Sequence, residues 1–243
     1  MNKTDIIIIG AGPVGLFTVF EAGLLGLNCT IIDNLDKPGG QCAELYPEKP
    51  IYDIPGVPFQ TGQEHVNALL EQIKPFDYEL HLSERVDSIE NITHEDNTFW
   101  KIKTTADKEF ISKNIFIAAG AGSFEPRRPP NIEDPDKFIS NGVEYAVRSI
   151  DKYNNKDIFI FGGGDSALDW ALELSKFSKI YLIHRRDEFR GAPHTLSEIR
   201  KLEKEGKISI KTPCQLISVE GDESIKSISV KFDDGKVEKI NTD

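Results

Sequence analysis

Two short glycine patterns constrain this chain more than any other feature, because each sits where a strand hands over to a helix. The first is Gly10-Ala11-Gly12-Pro13-Val14-Gly15, a G-x-G-x-x-G. It follows the β-branched run 5–9, which reads as a strand buried in a parallel sheet. The pattern predicts an apolar helix over 13–26 and a second short strand over 29–33. The second is Gly162-Gly163-Gly164-Asp165-Ser166-Ala167, a G-x-G-x-x-A. It lies between the apolar run 158–161 and a predicted helix reaching 177, with the next strand at 180–183. Each pattern therefore opens a β-α-β unit. In such a unit the first glycine permits a tight turn, the second lets backbone approach a pyrophosphate, and the third lets helix and strand pack closely. The helix N-terminus then turns free N–H groups toward the phosphates. The competing reading is a glycine turn that only caps a helix. The strand–turn–helix context argues against it.

The two units differ at the end of their second strand. Unit one carries Asp33, which can accept hydrogen bonds from ribose hydroxyls and would repel a 2′-phosphate. That site suits FAD or NAD. Unit two carries His184-Arg185-Arg186, with Arg190 close behind and no acid waiting for the ribose. Arginine binds phosphate through paired, charge-assisted hydrogen bonds. Unit two is therefore expected to prefer the 2′-phosphate of NADPH. Its candidate residues are Gly163, Gly164, Asp165, Ser166, His184, Arg185, Arg186 and Arg190. A solvated basic loop is the alternative.

Between the units, residues 34–61 read as a long loop rich in proline and glycine, of a length that is uncommon unless functional. A helix is predicted over 63–74. Strands over 84–92, 99–104 and 109–117 form an antiparallel excursion with a returning strand. The run E-P-R-R-P-P-N at 125–131 predicts an extended linker. Beyond the second unit a helix is predicted over 197–205. Short strand-like runs fill 208–240, with Asp233-Asp234-Gly235 as a hairpin turn.

Bulk properties narrow the function. The chain has 243 residues and a formal net charge of −11, which argues against a general nucleic-acid binder. Its three cysteines, Cys29, Cys42 and Cys214, form no C-x-x-C pair, so neither a disulfide framework nor a cysteine zinc site is expected. A reducing, cytoplasmic compartment is expected instead. The four apolar residues 6–9 are too few for a signal-peptide core. No run approaches the roughly 18 apolar residues of a membrane helix.

The order of motifs resembles the thioredoxin-reductase-like class of ferredoxin–NADP reductases along essentially the whole chain. The resemblance rests on G-A-G-P-V-G-L-F at 10–17, G-G-Q at 39–41, L-Y-P-E-K at 45–49 and I-Y-D-I-P-G at 51–56. It continues with G-G-G-D-S-A-L-D-W-A at 162–171 and H-R-R-D-E-F-R at 184–190. It implies an α/β protein of two Rossmann-like dinucleotide-binding domains, each a three-layer ββα arrangement. An FAD domain would span 1–120 and an NADP domain 121–243, the second inserted into the first. The implied FAD residues are Gly10, Gly12, Pro13, Val14, Gly15, Asp33, Gln41, Tyr46, Val86, Gly120 and Phe124. Tyr46 would lie against the isoalloxazine ring, Val86 on the adenine side and Phe124 near the flavin. The implied reaction passes hydride from NADPH to the flavin and then single electrons to ferredoxin or flavodoxin, in either direction. The flavin carries this chemistry, so no catalytic side chain is named. The resemblance also implies a homodimer.

Two departures shape the expectation. Thioredoxin reductases carry a redox C-x-x-C where this chain has Gly142-Val143-Glu144-Tyr145-Ala146-Val147, so electrons are expected to leave directly from the flavin. The family also returns from the NADP domain to complete the FAD domain, and this chain stops where that return begins. The first domain is therefore expected to be incomplete, through a fragmentary or a shortened chain. Two other readings stay open: a disulfide or thiol reductase without its own dithiol, and a non-catalytic nucleotide-binding remnant.

Overall fold

Alternation along one strand sets the layers of the first half. The computed structural model describes residues 2–94, 97–122 and 134–242. Strand β1 (Asn2–Ile9) turns Ile6 and Ile8 to one face and Ile7 and Ile9 to the other. Ile6, Ile7 and Ile8 are all buried, as a strand covered on both faces requires. Helix α1 (Pro13–Leu24) returns the chain to β2 (Cys29–Ile32), which pairs parallel to β1 with Ile6 opposite Cys29.

The segment 34–61, expected as loop, holds a short helix α2 (Gly40–Glu44) and a two-residue hairpin of β3 (Pro50–Ile51) and β4 (Gln60–Thr61). Helix α3 (Gly62–Ile73) follows. Thr61 caps it, accepting from the Glu64 N–H while the Glu64 carboxylate accepts from the Thr61 N–H. Next come β5 (Tyr78–His81), β6 (Val86–His94), β7 (Asn97–Thr104) and β8 (Glu109–Ile117). One six-stranded sheet results, ordered β5-β2-β1-β8-β7-β6, parallel from β5 to β8 and antiparallel from there on. The antiparallel excursion thus forms as expected. Strand β5 carries no sequence signal of its own: Y-E-L-H is four residues long, and pairing with β2 is what makes it a strand.

The helix side of this sheet buries Leu16, Val19 and Ala22 of α1 and Val66, Leu69 and Ile73 of α3 against Ile6, Ile8 and Ile31. The other side buries Ile7 and Ile32 with Ile102 and Phe110 from the antiparallel strands. Val14, Leu25, Phe116 and Ile117 remain exposed.

The second β-α-β unit comprises β9 (Asp157–Phe161), α4 (Asp165–Leu174), β10 (Lys179–Ile183), α5 (Pro193–Lys204) and β11 (Ile208–Lys211). Its parallel sheet runs β11-β10-β9. Helix α5 begins four residues before its predicted start. Pro193 at its first position reads as a breaker, yet the missing N–H would have been unbonded there in any case. An antiparallel sheet of β12 (Cys214–Gly221), β13 (Ile225–Phe232) and β14 (Val237–Asn241) follows, with Gly235 at φ +87 in the predicted hairpin turn. Cys214, Ile228 and Val230 bury against Ile183 and Phe159 of the parallel sheet. The layers are helix, parallel sheet and antiparallel sheet, the ββα arrangement expected.

Packing divides the chain into two compact units. One is Met1–Glu125 with Ala146–Arg148; the other is Pro126–Tyr145 with Ser149–Asp243. The predicted linker at 125–131 lies outside the described residues.

Core and surface leucines should separate cleanly on truncation. Leu168 is fully buried, and Leu168→Ala should cost about 2–5 kcal/mol in urea unfolding. Leu25 is 76% exposed, and Leu25→Ala should stay within about 0.5 kcal/mol of the parent.

Candidate functional site

Each unit builds its site at the glycine turn, where the helix axis points out of the sheet. In the first unit, Gly10 leaves β1 with φ +108, and a Cβ there would lie 2.4 Å from the Ala118 carbonyl oxygen. A Cβ on Gly15 would lie 1.9 Å from the Gly10 carbonyl oxygen. The protein's own packing thus demands glycine at both positions. Gly12 is different. Its backbone is extended, and a Cβ would meet only the Gly40 Cα at 3.8 Å, an ordinary contact. Among the described residues nothing crowds a side chain at 12, so the space beside it is open. Gly12 caps α1 with no side-chain hydrogen bond, Pro13 opens the helix, and Val14 is exposed above it. Among the described residues no side chain caps the helix start, and a negative group can approach its free N–H groups.

Asp33 braces this turn. Its Oδ2 accepts from the Ala11 N–H at 2.5 Å and its Oδ1 from the Leu35 N–H at 2.8 Å. Each oxygen keeps a second lone pair for an outside donor. The Asp33 backbone is held as well: its N–H donates to the His81 carbonyl, and its carbonyl accepts from the Glu84 N–H.

Helix α2 closes on the same place. The Gly39 N–H donates to the Ala11 carbonyl at 2.8 Å, and a Cβ on Gly40 would lie 3.0 Å from the Gly12 Cα. One residue on, Gln41 Oε1 accepts from the Tyr46 hydroxyl at 2.7 Å. The Gln41 amide nitrogen lies toward Gly120, 3.8 Å from where a Cβ on that residue would sit. Gly12, Gln41, Tyr46 and Gly120, separate in sequence, are thus gathered around one turn. Burial, and then the neighbouring Cys42, push the Tyr46 hydroxyl above its ordinary pKa, so it stays protonated and able to donate. Burial and then Asp53 likewise push the Cys42 thiol up.

Val86 sits at the start of β6, partly buried against the cluster of Ile7, Ile32, Ile102 and Phe110. It lies two residues beyond Glu84, the residue bonded to the Asp33 carbonyl. Phe124 lies outside the described residues. Sequence reasoning missed Glu84, a buried carboxylate ion-paired with Lys108 on the turn before β8. No spacing marks it; only the meeting of two strand connections does.

The second unit repeats the plan with different charge. A Cβ on Gly162 would lie 2.8 Å from the Ala167 Cβ, while a Cβ on Gly164 would meet nothing within 4 Å. The middle glycine again faces open space at a helix start. Asp165 opens α4, and its Oδ1 accepts from the Ala192 N–H at 2.8 Å, while Ser166 follows in the first turn. The Arg190 N–H donates to the Gly163 carbonyl at 2.7 Å, so the basic stretch folds back over the glycine turn. Arg185, Arg186 and Arg190 are exposed and form no ion pair among the described residues. The His184 ring stacks on Phe189 with centroids 5.4 Å apart. Burial, and then Arg185 and Arg186, pull its pKa below the ordinary histidine value.

No group of three or more His, Cys, Asp or Glu side chains suited to a metal occurs among the described residues. No helix among them is long and apolar enough to cross a membrane. The three cysteines are unpaired.

Comparison with known proteins agrees with this architecture. Residues 4–243 match the pyridine nucleotide-disulphide oxidoreductase family. The chain is 52% identical over 242 residues to the ferredoxin–NADP reductase of Pelagibacter ubique, covering all of this chain and 70% of that protein. It is 49% identical over 243 residues to the ferredoxin–NADP reductase of Nitrobacter hamburgensis, covering 99% of this chain and 70% of that one. Among solved structures, Lactococcus lactis thioredoxin reductase superposes with a TM-score of 0.81 at 28% identity, covering 98% of this chain and 75% of that one. The T. acidophilum thioredoxin reductase shares the fold, with a TM-score of 0.82 at 19% identity over all of this chain and 75% of that one. The two open glycine turns, one closed by an acid and one by arginines, thus belong to a chain of the pyridine nucleotide-disulphide oxidoreductase family.

Proposed function

We propose that this chain is an FAD-dependent NADPH oxidoreductase that exchanges electrons with a one-electron protein carrier, ferredoxin or flavodoxin. One observation carries the reading: two helix-starting glycine turns, each with an open middle glycine, end in opposite charge. An acid beside the first suits a free ribose and excludes a 2′-phosphate. Three unpaired arginines at the second suit a 2′-phosphate. The relatives named ferredoxin–NADP reductase, about half identical along the whole chain, support the carrier.

In this reading the Gly10, Gly12 and Gly15 turn, with Pro13 and Val14, receives the FAD pyrophosphate, and Asp33 accepts from its ribose. Gln41, Tyr46 and Gly120 form the flavin side, with Phe124 beyond them, and Val86 the adenine side. Gly163, Gly164, Asp165 and Ser166 line the NADPH pyrophosphate, and Arg185, Arg186 and Arg190 hold its 2′-phosphate. The bound flavin supplies hydride exchange with nicotinamide and single-electron exchange with the carrier. A dithiol relay has no support here. Cys42 has no cysteine partner, and its raised pKa keeps it as the unreactive thiol. The unpaired cysteines also support a reducing compartment such as the cytoplasm.

The purified chain should show flavin absorbance that bleaches with NADPH, and should reduce ferredoxin faster than thioredoxin. Intact flavin with no reduction of any one-electron protein carrier would sink the proposal. Gly12→Val should abolish flavin binding while leaving the melting temperature of the flavin-free protein near that of the parent. Gly15→Ala should lower that temperature, because its methyl meets the Gly10 carbonyl. Arg185→Gln and Arg186→Gln should weaken NADPH by about 1.5–3 kcal/mol per lost contact and leave NADH nearly unchanged. Equal losses for both nucleotides, measured by titration, would refute the 2′-phosphate assignment.

A further inference from the structure

The H-R-R run invites the view that His184 is a third cation on the phosphate. The geometry points elsewhere. The imidazole Nε2 is buried and has no hydrogen-bond partner among the described residues. A ring nitrogen with no exposed surface is out of reach of an incoming phosphate unless the ring moves.

Nε2 is turned to backbone. A Cβ on Gly163 would lie 2.4 Å from His184 Nε2, 2.5 Å from Cε1 and 2.6 Å from Cδ2. Gly163 is not among the glycines with positive φ, so its backbone would accept a side chain. The imidazole stands where that side chain would go. Its neighbour Gly164 meets nothing within 4 Å, so the crowding is local to the ring. Behind the ring, Phe189 stacks on it, and the Gly163 carbonyl accepts from the Arg190 N–H. The histidine is therefore clamped between the glycine turn and the arginine-bearing loop.

Resting on the NADPH reading above, we propose that His184 is a positioning residue, a wedge that sets the Gly163 turn for any dinucleotide, and is not a ligand of the 2′-phosphate. The middle x of this G-x-G, free in the general pattern, is then glycine here because His184 fills its side-chain space.

Binding of NADP+ and NAD+, read by calorimetry on the full chain, tests this. His184→Phe keeps the ring and discards every hydrogen bond; both affinities should stay close to those of the parent. His184→Ala should weaken both by a similar factor, roughly tenfold. A His184→Phe chain that loses NADP+ while retaining NAD+ would overturn the proposal. Thermal unfolding provides a second test that needs no ligand. Gly163→Ala should lower the melting temperature, and adding His184→Ala should restore most of the loss. If the two losses simply add, there is no wedge. A parent chain that binds NADP+ no better than NAD+ would count against the NADPH reading alone, and the Gly163–His184 coupling would still hold.

Discussion

Helix α1 passes so close to the end of β1 that one methyl group at residue 15 would collide with the Gly10 carbonyl oxygen. Most of the first site follows from that approach. It lets Leu16 and Val19 reach the isoleucines of the sheet, and it aims the helix N-terminus out of the sheet at the level of Gly12. Once the helix is aimed, Asp33 at the end of the neighbouring strand can reach the Ala11 N–H and hold the turn. The carboxylate thus braces the turn and, in the proposed function, would receive the ribose with the same atoms. It uses one lone pair of each oxygen on the chain and leaves the other outward.

The second unit reaches the same geometry by a milder contact. Ala167 stands where the first motif has its third glycine, and Gly162 meets only its methyl. What differs between the units is charge. An inward carboxylate braces the first turn. In the second, a backbone N–H from the arginine-bearing loop and an imidazole wedge do that work. The arginines are left outward, without an ion pair among the described residues, in a protein whose net charge is −11. Three outward guanidinium groups in one short loop present paired donors of the kind a phosphate accepts, which is why the arginine loop is read as recognition.

Much of this was legible beforehand. Strong periodicity located β1, α1, the antiparallel excursion and the second β-α-β unit to within a few residues, because local preference and tertiary packing agree there. Segments whose structure depends on a distant partner were not legible. Helix α2 is five residues long and begins at a left-handed Gly39, so nothing local stabilises it; its stitch to Ala11 does. Strand β5 exists because β2 offers it an edge. Glu84 gains meaning only because two strand connections meet.

The amino-acid sequence by itself determined the two glycine turns, the acid after one and the arginines after the other. These depend on spacings within a β-α-β unit, which local geometry enforces. Tertiary structure alone decided which glycines answer to the protein and which stand open, since that depends on what lies across the turn: Ala118 beside Gly10, nothing beside Gly164. It alone paired Tyr46 with Gln41 beside the first turn. It also turned His184 inward, because a ring clamped between Phe189 and Gly163 cannot point out to solvent with its arginine neighbours.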